Sequence, residues 1–150
     1  MNKKDLKPAS VFYYFEEICQ VPRPSKREEK IIAYLKAFGR KHGLETKTDE
    51  VGNVLIKKPA TPGKENLKTV ILQSHIDMVC EKNSDVEHDF LIDPIDTVVD
   101  GEWLKAKGTT LGADNGIGVA TELAILAATD IEHGPLECLF TVDEEDRKSV

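Results

Sequence analysis

Three short stretches hold the residue types that bind divalent metals and move protons. In His75-Ile76-Asp77 an imidazole precedes a carboxylate by two residues. Such a carboxylate can accept the ring's second N–H and so fix the tautomer that ligates. In Gly112-Ala113-Asp114-Asn115-Gly116-Ile117-Gly118 a carboxylate sits among three glycines, whose permissive backbone lets a side chain be aimed inward. In Asp143-Glu144-Glu145-Asp146 four acids are consecutive, and their mutual repulsion raises carboxylate pKa values unless a cation compensates. Each stretch also has a plainer reading. His75 can be a structural histidine at a strand end, Asp114 or Asn115 can cap the helix that follows, and the four acids can form a solvated loop.

The elements that must carry these residues follow from periodicity. Ser10 to about Gln20 reads as a helix with Val11, Phe15 and Ile18 or Cys19 on one face, ended by Pro22 and Pro24. Ser25 and Glu28 have capping-box spacing ahead of Ile31, Ile32, Leu35 and Phe38, and Gly43 suits the end of that helix. Leu44–Thr48 and Asn53–Lys57 flank a hairpin loop, as do Thr97–Val99 and Glu102–Lys105 around Asp100-Gly101. The continuous apolar centre of Thr69–Ser74 predicts a buried central strand. Ile117–Ala128 reads as a packed helix and Glu137–Val142 as a buried strand. The alternation predicts an α/β fold, a mixed twisted sheet covered by helices. Ligands gather beyond the carboxyl ends of strands in such folds, which is where His75-Ile76-Asp77 and the four acids fall.

Composition narrows the function classes. The 150 residues fit one domain-sized unit, able to bury roughly 70% of its unfolded surface. Residues 1–75 carry 15 basic and 9 acidic side chains, and residues 76–150 carry 5 and 18. The net charge of −7 argues against a nucleic-acid partner. No apolar run approaches the roughly 20 residues of a membrane span, and Asp5 and Pro8 interrupt any leader-like N-terminus. The expectation is a soluble, cytoplasmic protein with no membrane partner. Cys19, Cys80 and Cys138 lack Cys-x-x-Cys spacing and have apolar neighbours, as buried reduced thiols do. A nucleophilic role for Cys80 ranks low. The glycines fit neither a dinucleotide fingerprint nor a P-loop, and no His-Glu-x-x-His or Gly-x-Ser-x-Gly occurs.

Taken together, His75-Ile76-Asp77-Met78-Val79, Leu111–Gly118 and Phe140-Thr141-Val142-Asp143-Glu144-Glu145 closely resemble the aminoacyl-histidine dipeptidases. This is the Xaa-His branch of the dizinc peptidases that also include carboxypeptidase G and the aminoacylases. The run Val21-Pro22-Arg23-Pro24-Ser25 looks like the start of that branch, and the resemblance covers about residues 8 to 145. It implies that His75 binds one zinc, Asp114 bridges two, and Glu145 binds the other. It further implies that Asp77 orients His75, that Glu144 is the general base, and that the Asp114–Asn115 peptide is cis. The implied cofactors are two divalent metal ions, zinc before cobalt or manganese. The implied reaction is hydrolysis of small Xaa-His dipeptides by metal-activated water.

The resemblance also sets limits. The family follows its glutamate pair with a small residue and glycine, whereas this chain reads Asp146-Arg147-Lys148-Ser149-Val150. Family members run to several hundred residues, with a further acid and histidine as ligands and a lid domain that supports dimerisation. Residues 1–150 are therefore expected to be the N-terminal portion of a zinc-exopeptidase catalytic domain, inactive alone, from an enzyme that is homodimeric at full length. Another dizinc aminopeptidase or deacylase is the enzyme alternative, and a non-catalytic α/β module is the other.

Overall fold

The computed structural model describes residues 3–146. Helix α1 spans Ala9–Cys19 and buries Phe15, Ile18 and Cys19, the face expected from the spacing. Helix α2 spans Glu29–Lys41 and buries Ile31, Leu35 and Phe38. Arg40 and Lys41 lie in its last turn, where cations complement the helix dipole. Gly43 follows at φ +64°, the left-handed residue that lets the carbonyls of Phe38 and Arg40 be capped by the His42 and Gly43 N–H groups.

Strands β1 (Glu45–Thr48) and β2 (Val54–Lys58) form the first hairpin, antiparallel from Glu45↔Lys57 to Thr48↔Val54. Asp49 holds its loop, Oδ1 accepting the N–H groups of Val51, Gly52 and Asn53. Strand β3 is Val70–His75. Strands β4 (Thr97–Asp100) and β5 (Trp103–Ala106) make a separate hairpin around Asp100-Gly101, as read from the sequence. Helix α3 (Ala113–Ala127) leads to strand β6 (Leu136–Thr141).

The main sheet has the order β1-β2-β6-β3. Strand β6 is antiparallel to β2 and parallel to β3, so β3-α3-β6 is a parallel crossover unit. The sheet is mixed, as expected. Leu136, Cys138 and Phe140 of β6 and Val54 and Ile56 of β2 are buried on alternate positions, and all but Leu136 join Phe15, Ile18, Ile31, Leu35, Val119 and Leu123 of the three helices in one core cluster. Burying one such aliphatic or aromatic side chain contributes roughly 1.5–3 kcal/mol.

One expectation fails. The β3 segment is not a buried central strand. It is the edge of the described sheet, with Val70 50% and Ile71 63% exposed. An apolar run marks a strand able to be buried on both faces and does not fix its place in the sheet. Only its carboxyl end, Ser74 and His75, is buried, and that is the end that bears the candidate ligand.

Candidate metal and catalytic site

Strands β3 and β6 run parallel in the register Ser74↔Phe140 and His75↔Thr141, so the residues following each emerge at one end of the sheet. The Ile76 N–H extends this pairing by donating to the Thr141 carbonyl. The start of α3 reaches the same end. His75 is buried, with Nδ1 3.2 Å from the Asp77 carbonyl and 3.3 Å from Asp77 Oδ1. An Nδ1–H donating there leaves Nε2 as the ligating nitrogen. Nε2 lies 3.1 Å from Asp114 Oδ1. A lone pair facing a carboxylate at that distance calls for a proton or a cation between them.

Asp114 is not a helix cap. Gly112, at φ +68°, occupies the cap position, and Asp114 and Asn115 keep non-helical angles within the first turn of α3. The Asp114–Asn115 peptide is cis. The Asp114 carboxylate is largely open to solvent while His75 lies beneath it, so the pair is reachable from outside. Glu145 completes the group. One ligand atom each from His75, Asp114 and Glu145 lies within 4.8 Å of the others. An imidazole nitrogen with carboxylate oxygens is the donor set that zinc, cobalt or manganese accepts, so the residues fit the implied metal.

The acidic loop is pinned through its backbone. Asp143 adopts φ +57°, a left-handed conformation that aspartate tolerates better than most residues. Three consecutive N–H groups then meet two carboxylates. The Asp143 N–H donates to Glu28 Oε1 at 2.9 Å, that of Glu144 to Asp77 Oδ1 at 3.1 Å, and that of Glu145 to Asp77 Oδ2 at 2.8 Å. The Ser25 hydroxyl also donates to Asp77 Oδ2, at 2.7 Å. Burial alone raises the Asp77 carboxyl, but the Glu145 N–H, the Ser25 hydroxyl and the Glu144 N–H outweigh it and hold the group below the usual carboxylate range. Asp77 therefore does more than face His75. It ties the histidine strand end to the glutamate pair.

Ser25 and Glu28 do not form the expected capping box. Helix α2 begins at Glu29 with no side-chain cap, and both side chains reach the site instead. No sequence motif points to Arg23, buried at 2% exposure, or to the buried Glu122. Glu122 is the lone acid within the apolar run of α3, which was the available signal. Cys80 lines a groove of about 380 Å³ together with Ser25, Met78, Glu81 and Glu145. Burial pushes its thiol up to about 11, which removes it as a nucleophile at neutral pH. The departure expected at residues 146–150 falls, beyond Asp146, outside the described residues. Asp146 itself is ion-paired with Lys26.

No protein-family model matches the sequence. The chain is 52% identical over 140 residues to the cytosol non-specific dipeptidase of Escherichia coli (strain K12), covering 93% of this chain and 29% of that protein. The solved aminoacylhistidine dipeptidase of Vibrio alginolyticus matches at 53% identity and a TM-score of 0.95, over 98% of this chain and 30% of that one. In sequence and fold the chain resembles the aminoacylhistidine dipeptidases. The resemblance read from the three motifs thus extends over nearly all of the chain. The chain spans about 30% of the length of these dipeptidases. A more distant likeness, 25% identity with a TM-score of 0.76, links it to the aminopeptidase PepT of Bacillus cereus, over 97% of this chain and 38% of that one.

Proposed function

We propose that this chain forms the N-terminal part of the catalytic domain of a metal-dependent dipeptidase acting on Xaa-His and related small dipeptides. The observation that carries the reading is the convergence of His75, Asp114 and Glu145 at the carboxyl ends of two parallel strands, in a chain more than half identical to two dipeptidases.

In this reading His75, Asp114 and Glu145 would hold the metal. Bound divalent ions, zinc first, would supply Lewis acidity to the peptide carbonyl and acidify water at neutral pH. Asp77 accepts the Nδ1–H of His75 and keeps Nε2 free to ligate. Glu144, held beside Glu145 by their shared anchor on Asp77, takes a proton on its carboxylate and returns it to the departing amine. Glu145 does not share that task, because ligation occupies its oxygens.

Among the described residues three ligand side chains serve two ions, where a catalytic zinc takes about three each. The remaining ligands, the substrate-gripping lid and the homodimer contact belong to further chain, and residues 1–150 alone are inactive. Among the described residues no helix is long and apolar enough to cross a membrane, and the Escherichia coli relative is named for the cytosol. The name of that relative supports a cytoplasmic enzyme.

The likeness to aminopeptidase PepT supports a second reading, an aminopeptidase of the same architecture. Hydrolysis assays on Xaa-His dipeptides, tripeptides and N-acyl amino acids with the full-length enzyme separate them. The dipeptidase reading expects metal-dependent turnover of the dipeptides above the other substrates. A preference for tripeptides or N-acyl amino acids would sink it.

A further inference from the structure

Arg23 reaches both loops that carry the buried and the open ligand. Its Nη1 donates to the Ile76 carbonyl at 3.1 Å and to the Asp77 carbonyl at 3.3 Å, and its Nη2 donates to the Gly112 carbonyl at 2.7 Å. Ile76 directly follows His75, and Gly112 lies two residues before Asp114. The Arg23 carbonyl in turn accepts the Met78 N–H, so backbone and side chain grip the same loop.

Two glycines are shaped around this side chain. A Cβ at Gly112 would stand 2.6 Å from Arg23 Nη2, and one at Gly116 would stand 2.7 Å from it. Neither distance leaves room for an atom. The glycines flanking Asp114 thus make the space the guanidinium fills, beyond freeing the backbone.

Burial lowers the proton affinity of Arg23, while Cys19, Asp77 and Cys80 oppose that. Burial pushes the Cys19 thiol up to about 12 and the Cys80 thiol up to about 11, so both are neutral at pH 7. Asp77 is therefore the group that offsets the buried charge. A cation beside a metal site would repel the metal. The Asp77 carboxylate nearby opposes that field, and the hydrogen bonds of Arg23 to the three carbonyls supply the geometric effect.

We propose that Arg23 is a positioning residue whose guanidinium sets the separation of His75 and Asp114 by tying their two loops together. The proposal rests on the reading of these residues as metal ligands. Only a planar fork donates in the fixed directions that three carbonyls on two loops require, which an ammonium does not match.

The test measures Co²⁺ affinity and crystal structures of the full-length protein and its Arg23→Met and Arg23→Lys variants. Leu35→Ala, a core change in α2, serves as a stability control. Arg23→Met is expected to weaken Co²⁺ binding by roughly 10–100-fold, the range seen when the support of a ligand is lost. The 3.1 Å contact of His75 with Asp114 opens in its structure. Arg23→Lys recovers part of the affinity, and Leu35→Ala leaves affinity unchanged at equal or greater loss of stability. Binding as tight as wild type in Arg23→Met, with the contact retained, would overturn the proposal. If Arg23→Met does not fold, wild-type affinity in Arg23→Lys overturns it and a several-fold loss supports it. If the wild type binds no Co²⁺, the metal reading fails, and the His75–Asp114 contact in the variant structures decides the positioning role by itself.

Discussion

Asp77 holds the backbone of Glu145, its Oδ2 accepting that residue's N–H at 2.8 Å across 68 positions of sequence. The same carboxylate accepts from Glu144 and Ser25 and lies 3.3 Å from the His75 ring. Asp77→Asn preserves the shape but turns one acceptor into a donor, which then faces N–H or O–H groups. Hydrogen bonds to a charged group contribute about 1.5–3 kcal/mol. Urea unfolding of Asp77→Asn is expected to show a loss of that order, and titration a drop of roughly tenfold or more in metal affinity. Wild-type affinity in a folded Asp77→Asn protein would contradict the anchoring role.

In the proposed mechanism the glutamate pair divides its work between two side chains. In the full-length enzyme Glu144→Gln is expected to retain metal and lose turnover by roughly 10²–10⁴-fold, the usual contribution of a positioned base. Glu145→Ala is expected to lose metal. Metal analysis beside steady-state rates tests both, and a fully active Glu144→Gln would end its assignment as the base.

Ser25 acts at the site and not on helix α2. Ser25→Ala removes a 2.7 Å hydrogen bond to the charged Asp77 carboxylate and is expected to cost about 1.5–3 kcal/mol. The loss should appear as faster amide exchange at Glu144 and Glu145 rather than in the first turn of α2. Exchange changes confined to α2 would restore the capping-box reading.

Glu122 makes stability depend on pH. Burial pushes its carboxyl up to about 7, with Ser74 and Cys138 pulling the other way, and its Oε2 has no hydrogen-bond partner. Between about pH 4.5 and 7 the folded chain keeps a proton that the unfolded chain has lost. Folding stability therefore falls as pH rises through that window and levels off above it, by roughly 3 kcal/mol in all. Glu122→Gln stays neutral throughout and removes this slope. Urea unfolding at pH 5 and pH 8 is expected to show the variant gaining on wild type at the higher pH. Parallel curves would show that Glu122 is ionised when folded.

Much of the candidate site was legible because each proposed ligand lies in a short contiguous motif at the end of an element. His75 closes β3, Asp114 opens α3 and Glu145 follows β6, so locating the elements located the residues. The supports were not legible. Arg23, Ser25 and Glu28 act on groups 52 to 115 positions away, and no local pattern encodes such a contact. The Ser25/Glu28 spacing even matched a local motif that the chain does not form, because a buried carboxylate and a loop N–H offer better partners than the helix end. The place of β3 at an edge was hidden for a different reason. Apolarity records how much of a strand can be buried, while strand order depends on the crossover through α3.

The convergence of His75, Asp114 and Glu145 on a cation is tested most directly by anomalous diffraction at the zinc edge, on crystals of the full-length protein grown with Zn²⁺. The expected result is zinc within about 2.0–2.2 Å of His75 Nε2 and of carboxylate oxygens of Asp114 and Glu145. A structure in which zinc binds elsewhere, or in which these three side chains turn away from one another, would contradict it.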